Sequence, residues 1–420
     1  MEKVNRKLTK KLFYFLAFLA AIRPSFDIFS QYEFRIWPDL PAININTVLG
    51  GLVFLVGIVF VIKNLRQISK NPLVYPILLF LGLSFLSIFY SIGALESAKE
   101  FIRISSIFLL YFIFYRLIQD EKDFNFLVKA IFISYLIPAF FAIFQFFFQR
   151  GLPDDFGGFN RIYGTFAHPN PFAFYTFFIL AIAFSFLLVK KEETKSWLKD
   201  NPYLWAVFAL ALFLLATYTR TALASFFIFI VIFGLFKYKR VLLAAVGFFI
   251  LVYLFSDVLR QRIWELAAFD PYGSVVWRLR LWKDMIPVAL WRPWFGSGLN
   301  TFEKLTEFYR GFKLGSLEAH NDFLKTFVEN GLIGLAAYFL LIFGTISRLV
   351  KIFKKAPANR KILALGILSV FTVLFIISFF DNVLRVTALQ WNLWLLIAAW
   401  LKINLPGTGL SSTPSANGKK

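Results

Sequence analysis

The chain has 420 residues, of which 59% are hydrophobic, 20% are aromatic and only 16% are charged. Water-soluble domains carry about a quarter charged residues, so this composition excludes a cytosolic enzyme and indicates a membrane protein. The net charge of +21 could suggest a nucleic-acid binder, but the Lys and Arg residues lie in short loops between apolar segments. That distribution is a topology signal of membrane proteins. Because there is no cysteine, a disulfide and a thiolate metal site are excluded.

Apolar segments about as long as an α-helix needs to cross a membrane recur along most of the chain. They predict an all-α polytopic membrane protein with about twelve transmembrane helices. The predicted spans are residues 12–30, 45–62, 73–92, 101–118, 126–148, 171–189, 203–218, 221–236, 241–256, 322–347, 361–380 and 386–402.

Positive charge predicts the orientation of these spans, because short loops rich in Lys and Arg are retained in the cytoplasm. Alternate loops are rich in these residues and the intervening loops hold few; the rich segments are 3–11, 63–70, 116–122, 190–199, 237–240 and 348–361. We therefore expect both ends to be cytoplasmic. The loops near Arg161, Arg220 and His320 are expected to be extracytoplasmic.

One predicted loop, residues 257–321 between spans nine and ten, is much longer than the others and is expected to form an extracytoplasmic, helical domain. Within it, the segment from Ser274 to Trp291 has apolar residues at helical spacing among charges, which predicts an amphipathic helix near the membrane surface. The chain therefore divides into spans one to nine (1–256), the loop domain (257–321), spans ten to twelve (322–404) and a polar tail (405–420). We expect the tail to be disordered and cytoplasmic.

The two histidines, His168 and His320, each directly precede a predicted span on the extracytoplasmic side. For His168 the sequence leaves loop packing and substrate contact equally open. Asn170 followed by Pro171 is typical of a helix start, so we interpret Asn170 as an N-cap. Arg161 has no evident carboxylate partner in the nearby sequence and could hold an anionic group.

His320 lies beside the predicted amino terminus of span ten, which Asn321 or Asp322 can cap. The helix macrodipole disfavours positive charge there, so we expect the imidazole to be neutral. A neutral imidazole can take a proton from a hydroxyl nucleophile as a general base. The alternative is an interfacial histidine that only hydrogen-bonds lipid or loop backbone. Lys325 and Glu329 are four residues apart and are expected to form a structural ion pair.

Two arginines are candidates for binding an anionic substrate. Arg220 lies at the outer edge of the hydrocarbon, where it either reaches lipid phosphates or forms a fixed anion site. In the amphipathic helix, Arg280 has Asp284 as a local partner. Arg278 instead has Trp282 one turn later, which can stack on the guanidinium and leave its donors free. Arg278 is therefore the better phosphate ligand of the two.

Two other motifs are not interpreted as sites. Gly296, Ser297 and Gly298 imitate part of a phosphate loop, but no strand precedes them and no Lys-Ser/Thr follows, so we interpret them as a turn. Asp154 and Asp155 are adjacent carboxylates, yet no further His, Asp or Glu is spaced to complete a metal shell. We expect no metal site and no cofactor.

Four short motifs follow one another in the long loop and span ten. They are Arg-x3-Trp (Arg278, Trp282), P-x-x-G-x-G (Pro293 to Gly298), H-N-x-x-L (His320 to Leu324) and E-x-G-x-x-G (Glu329 to Gly334). Together they resemble the O-antigen ligase and O-antigen polymerase superfamily of bacterial envelopes, and the lipid A core O-antigen ligases are the most similar. The resemblance extends upstream to the segment from Gly164 to Asn170 and to Arg220, where the family usually has Ser-Arg and this chain has Thr219 before the arginine.

The resemblance implies a metal-independent, inverting glycosyltransferase of the bacterial inner membrane with its active site on the periplasmic face. It would move a glycan from undecaprenyl diphosphate to a sugar hydroxyl of lipid A core. Arg220 and Arg278 would hold the diphosphate, and His320 would be the base. The residues expected to contact substrate are Arg161, His168, Asn321 and Trp282.

Other functions stay open at this point. An O-antigen or exopolysaccharide polymerase, or a protein O-oligosaccharyltransferase, would use the same donor and could use the same residues. A twelve-span transporter is less well supported, because the candidate polar residues gather at one face rather than at mid-bilayer. The sequence indicates neither the glycan, nor the oligomeric state, nor a role for Glu318, Asp381 and Arg385.

Overall fold

A computed structural model describes residues 2–35, 42–153, 160–193, 201–236, 238–255, 273–311 and 315–405, together with 257, 260 and 264. The helices are α1 (Glu2–Phe26), α2 (Ile45–Lys63), α3 (Leu65–Ile68), α4 (Val74–Leu86), α5 (Ala94–Leu117), α6 (Glu121–Ile133), α7 (Leu136–Phe147), α8 (Pro169–Glu193), α9 (Pro202–Ala216), α10 (Arg220–Phe236), α11 (Lys239–Phe255), α12 (Ser274–Trp291), α13 (Phe302–Arg310), α14 (Asp322–Lys355), α15 (Ala358–Ile377) and α16 (Thr387–Asn404). Two short strands, β1 (Leu152–Pro153) and β2 (Asn160–Arg161), pair antiparallel.

Helices occur at every segment that the sequence predicted as a span. Within the described residues, six of them are long and apolar enough to cross a membrane, and three shorter apolar helices accompany them. The chain is thus an all-helical protein of the membrane type, as its composition indicated, whereas the count of twelve spans stays a prediction. The tail after Leu405 and most of residues 256–272, where the predicted loop domain starts, lie outside the described residues.

Three helices form the centre of the bundle and the others surround them. In the apolar stretch of Pro169–Lys191, 89% of residues are buried, against 17% for Ile45–Lys63. Helices α5 and α16 are also buried along most of their length, with Trp391, Trp400 and Tyr111 fully enclosed. A helix that is apolar on all sides belongs inside a bundle or against lipid, so the outer helices supply the surface for the membrane.

The amphipathic segment forms helix α12, as predicted. Its apolar side packs against α14, where Leu281, Met285 and Val288 meet Val328 in a small separate core. This contact joins the long loop firmly to the membrane helices. It thereby fixes the side chains of α12 relative to the start of α14.

The turn after α12 packs against a kink in α14. Gly331 interrupts α14 with φ 66°, and the turn docks there through hydrogen bonds from the Leu332 amide to the Pro293 carbonyl and from the Gly298 amide to the Glu329 carbonyl. The amides of Gly296 and Ser297 also donate to backbone carbonyls. Because these amides are already bonded, the segment is a structural turn and not a phosphate loop.

Candidate active site

A cavity of about 1190 Å³ opens where the ends of α8, α10, α12 and α15 meet. Its walls include six of the seven residues that the sequence singled out: Arg161, His168, Arg220, Arg278, Trp282 and His320. These residues come from segments far apart in the chain, so their meeting at one cavity is a property of the fold. Asn321, the seventh, does not line it.

His320 is oriented by a buried carboxylate. Its Nδ1 lies 3.1 Å from Asp381 Oδ1, and Asp381 is only 3% exposed. The His320 ring also meets Trp277 edge-on, with centroids 5.3 Å apart. Because the carboxylate accepts the Nδ1–H, a neutral ring carries its lone pair at Nε2, which is the arrangement of a general base.

Asp381 connects the histidine to the groups around it. Its Oδ2 accepts from Asn170 Nδ2 at 3.0 Å and lies 3.9 Å from Arg278 Nη2. Burial by itself would raise the pKa of Asp381, but the His320 hydrogen bond and the charge of Arg278 outweigh it, so the pKa is lowered. The carboxylate is therefore ionised at neutral pH.

No role for Asp381 was evident from the sequence. A signal was nevertheless present, because Asp381 and Asn382 directly follow the predicted span 361–380 at an edge of the hydrocarbon. An ionisable residue in that position is a candidate functional residue by default. What was missing was any way to know that it faces a histidine 61 residues earlier.

Arg161 is held rigidly at the cavity wall. Its Nε donates to the Thr217 carbonyl at 2.9 Å, and its Nη2 donates to Thr219 Oγ1 at 3.0 Å and to Asn170 Oδ1 at 3.1 Å. Burial and the nearby charge of Arg220 lower the pKa of Arg161 to about 10, although Asp381 opposes this shift. The guanidinium is still charged at neutral pH, and these three hydrogen bonds fix its position.

Arg220 is the first residue of α10 and lines the same cavity. Arg161 and Arg278 line it too, and burial together with the charge of Arg220 lowers the pKa of both, although Asp381 opposes these shifts. Like charges repel, and such a cluster is stabilised when an anion lies among them. The amino terminus of α10 adds the positive end of a helix dipole at the same place.

Arg278 has a different aromatic neighbour from the one that the sequence suggested. Its guanidinium lies over the ring of Trp277 at 5.6 Å, and its Nη1 donates to the Phe380 carbonyl at 2.8 Å. Trp282 instead donates its indole N–H to the Ala319 carbonyl at 2.7 Å. The expectation that Trp282 stacks on Arg278 is therefore wrong, because a half-buried indole N–H needs an acceptor and finds it in the loop before His320.

The ion pair predicted within α12, between Arg280 and Asp284, is replaced by a pair between two helices. Asp284, expected to pair with Arg280, accepts from Arg310 Nε at 3.0 Å. Arg310 is buried at the end of α13, and a buried guanidinium requires such a partner. Arg280 is exposed and does not line the cavity.

Of the two helix caps predicted beside the histidines, the structure confirms the cap of α14 but not that of α8. At α14, Asn321 is the N-cap, because its Oδ1 accepts from the amides of Phe323 and Leu324. Its side chain is thus used by the helix, which argues against the predicted substrate contact. At α8 the cap is His168, whose Nδ1 accepts from the Asn170 amide at 3.2 Å.

The interpretation of Asn170 as an N-cap is therefore wrong. Helix α8 begins at Pro169, one residue before Asn170, since proline is well suited to the first helical position. The Asn170 side chain bridges Arg161 and Asp381 instead. Burial and the charge of Arg161 lower the pKa of His168 to about 4, so its ring is neutral at pH 7.

Further into α14, Lys325 and Glu329 form the predicted ion pair, with Nζ 2.8 Å from Oε1. Both are buried, and Glu329 also accepts from the Phe302 amide. No group of three or more His, Cys, Asp or Glu side chains suited to a metal ion occurs in the described part of the chain. Asp154 and Asp155 lie outside that part.

The chain is similar to known proteins over part of its length. Residues 205–339 match the family model described as O-Antigen ligase. A General O-oligosaccharyltransferase of Acinetobacter baylyi is 30% identical over 207 residues, which cover 44% of this chain and 35% of that protein. This chain therefore spans about a third of the length of the curated relative. The resemblance that the motifs indicated is confirmed: the chain is similar to the O-antigen ligase superfamily over the segment that holds Arg220, Arg278 and His320.

Proposed function

We propose that the protein is an O-antigen ligase of the bacterial inner membrane. In this function it transfers a glycan from undecaprenyl diphosphate to a sugar hydroxyl of lipid A core, at the periplasmic face. The observation that carries the proposal is the shared Asp381 carboxylate, which lies beside His320 on one oxygen and beside Arg278 on the other. A base and an anion-binding group are thereby held at one place.

The base step follows from the His320 geometry. The acceptor hydroxyl gives its proton to His320 Nε2 while its oxygen forms a bond to the anomeric carbon of the donor. Asp381 stabilises the imidazolium that results, as the carboxylate of a catalytic triad does. Because the hydroxyl enters opposite the leaving group, the anomeric configuration is inverted.

The arginines stabilise the leaving group. When the bond between the anomeric carbon and the phosphate oxygen breaks, its electron pair stays on the diphosphate. Arg161, Arg220 and Arg278 form a preorganised cluster that stabilises this charge in a partly dry site. Guanidinium groups can supply that compensating charge without a metal ion, so transfer is expected to persist in the presence of a chelator.

A second candidate function differs only in the acceptor. The curated relative is named as an oligosaccharyltransferase, which supports a protein O-oligosaccharyltransferase as the alternative. The donor site and the base would be the same. An O-antigen or exopolysaccharide polymerase would also share them.

The test is a reconstituted transfer reaction. The purified protein is incubated with undecaprenyl-diphosphate-linked glycan and one of three acceptors: lipid A core, a second lipid-linked glycan or a Ser/Thr-rich peptide. We expect lipid A core to be extended, with or without EDTA. Extension of only the peptide or of only the lipid-linked glycan would replace the proposal with one of the alternatives.

A further inference from the structure

The two oxygens of Asp381 face different surroundings. Oδ2 is directed to Asn170, Thr221 and Arg278, on the side of the arginine cluster. Oδ1 is directed to His320 and to the backbone amide of Asn382. The carboxylate therefore marks a boundary inside the cavity, with excess positive charge on one side.

On the His320 side the wall consists of paired charges. Asn382 Nδ2 donates to Glu318 Oε2 at 2.8 Å, and Glu318 Oε1 accepts from Arg385 Nη1 at 2.9 Å. Burial would lower the pKa of Arg385, but the carboxylates of Glu303, Glu318 and Glu100 raise it overall. The guanidinium is thus fully compensated and offers no excess charge to an anion.

Two further ion pairs continue this wall. Glu100 accepts two hydrogen bonds of 2.7 Å from Arg103, whose Nη1 also donates to the Leu384 carbonyl. Arg23 and Asp27 pair at 2.5 Å, and all four side chains line the cavity. Arg23 is 5% exposed, and its Nε has no hydrogen-bond partner among the described residues. Buried donors of this kind are normally met by water or by a ligand oxygen.

The chemistry of this wall suits a sugar. Hydroxyl groups both donate and accept hydrogen bonds, and paired carboxylates and guanidiniums present acceptors and donors side by side. A phosphorylated ligand would gain little here, because Arg23, Arg103 and Arg385 each already have a carboxylate partner. The arginine cluster on the other side of Asp381 instead favours a negatively charged ligand.

We infer that the wall formed by Glu318–Arg385, Glu100–Arg103 and Asp27–Arg23 is the acceptor subsite and takes an uncharged, hydroxyl-rich sugar unit. The inference rests on the proposed function, because it assumes that a hydroxyl of this unit reaches His320. It adds the residues that hold the acceptor unit and the absence of charge on that unit, which neither the motifs nor the comparisons define. A bare peptide hydroxyl would form far fewer hydrogen bonds with this wall than a sugar unit would.

The structure offers a matched pair of variants. Glu318 pairs with Arg385 and lines the cavity, whereas Glu307 on α13 is exposed and does not line it. Glu318→Gln removes one negative charge from the wall and keeps the size of the side chain. Glu307→Gln makes the same change outside the cavity and is the control. Folding of both is checked by thermal unfolding in detergent.

The first measurement is binding without donor, by calorimetry, of a neutral core oligosaccharide, its monophosphorylated form and a Ser/Thr-rich peptide. The wild type should prefer the neutral sugar. In Glu318→Gln the ratio of neutral to phosphorylated affinity should fall about fivefold, since the wall gains net positive charge. Glu307→Gln should stay within about twofold of the wild type. Equal effects of the two variants, or tighter wild-type binding of the peptide or the phosphorylated sugar, would overturn the inference.

Transfer kinetics separate this inference from the proposed function. Glu318→Gln should raise KM for the acceptor and leave KM for the donor unchanged. A change in donor KM alone would overturn the acceptor subsite while leaving the transferase intact. A wild-type protein that binds the neutral sugar but transfers no glycan would refute the proposed function and not the subsite.

Discussion

Asp381 is within reach of both groups that the proposed reaction needs. Its hydrogen bond to His320 Nδ1 holds the imidazole in one tautomer. The backbone of His320 adopts φ 44°, a conformation that few residues other than glycine adopt. A strained backbone persists only where surrounding contacts impose it. Here those contacts are Asp381, the ring of Trp277 and the hydrogen bond from Trp282 to the preceding carbonyl.

Asp381→Asn should lower turnover about 10² to 10⁴-fold while the donor still binds. The amide of the introduced asparagine can donate to Nδ1, which moves the ring proton to Nε2. Nε2 then has no lone pair with which to accept the proton of the acceptor hydroxyl. Because the pKa of Asp381 is lowered, the carboxylate stays ionised as the pH falls from 8 to 5. The measurement is kcat with lipid-linked donor, together with donor Kd. Unchanged turnover would contradict the role of Asp381.

A second prediction at this scale concerns the arginines. Arg220→Lys and Arg278→Lys keep the charge but lose the planar fork, so each should weaken donor use about 10 to 100-fold. Arg280→Lys is the control on the same helix as Arg278, because Arg280 is exposed and outside the cavity. The measurement is kcat/KM for the donor. Equal damage from Arg280→Lys and Arg278→Lys would remove Arg278 from the diphosphate site.

At the scale of elements, α12 connects the two halves of the site. It carries Arg278 toward the arginine cluster and, through Trp277 and Trp282, holds the loop that bears His320. Helix α12 packs against the start of α14, and the loop turn that follows α12 packs against the kink of α14. The distance between Arg278 and His320 is therefore set by how these two helices pack.

The kink in α14 gives a stability prediction. At Gly331 the backbone has φ 66°, and a Cβ would lie 2.3 Å from the Trp294 carbonyl. Gly331→Ala should therefore destabilise the protein by about 1 to 3 kcal/mol, through backbone strain and displacement of the turn. Gly344→Ala is the control in the same helix, where the nearest atoms are 3.9 Å away. It should be neutral or stabilise by up to about 1 kcal/mol.

Thermal unfolding in detergent measures both glycine variants. Gly331→Ala should also lower activity, because the turn and α12 shift together. Equal unfolding temperatures of the two variants would show that the docking of the turn on α14 contributes little to stability.

At the scale of the whole molecule, the chemistry gathers at one face of the bundle. The cavity lies at the ends of helices, and its polar residues sit beyond the apolar stretches of α8, α10 and α15. Such a location suits a donor whose lipid chain stays in the membrane while its diphosphate reaches the aqueous surface. From the distribution of Lys and Arg we predict that this face lies outside the cytoplasm.

Cysteine labelling tests this orientation, and the chain has no cysteine of its own. Lys304→Cys on α13 and Lys351→Cys near the end of α14 are both at exposed positions. In intact cells, a membrane-impermeant maleimide should label position 304 and not position 351. The reverse pattern would invert the topology and with it the periplasmic site.

The sequence by itself determined the class of the protein and many of its helix positions. Apolar periodicity, helix capping and loop charge are local properties, so they can be read without knowing which segments meet. Arg220, Arg278 and His320 were identified in the same way, from residue chemistry and short motifs. The pairing of Lys325 with Glu329, one turn apart, was also predictable because it lies within one helix.

Only the tertiary structure decided which groups complete the site. Asp381 meets His320 across 61 residues, and Arg385 meets Glu318 across 67, distances in sequence over which spacing carries no information. The roles of Asn170 and Trp282 changed for the same reason. Each side chain had a plausible partner nearby in sequence, but the fold brought a better one, since buried donors and acceptors bond to whatever partner the packed helices place beside them.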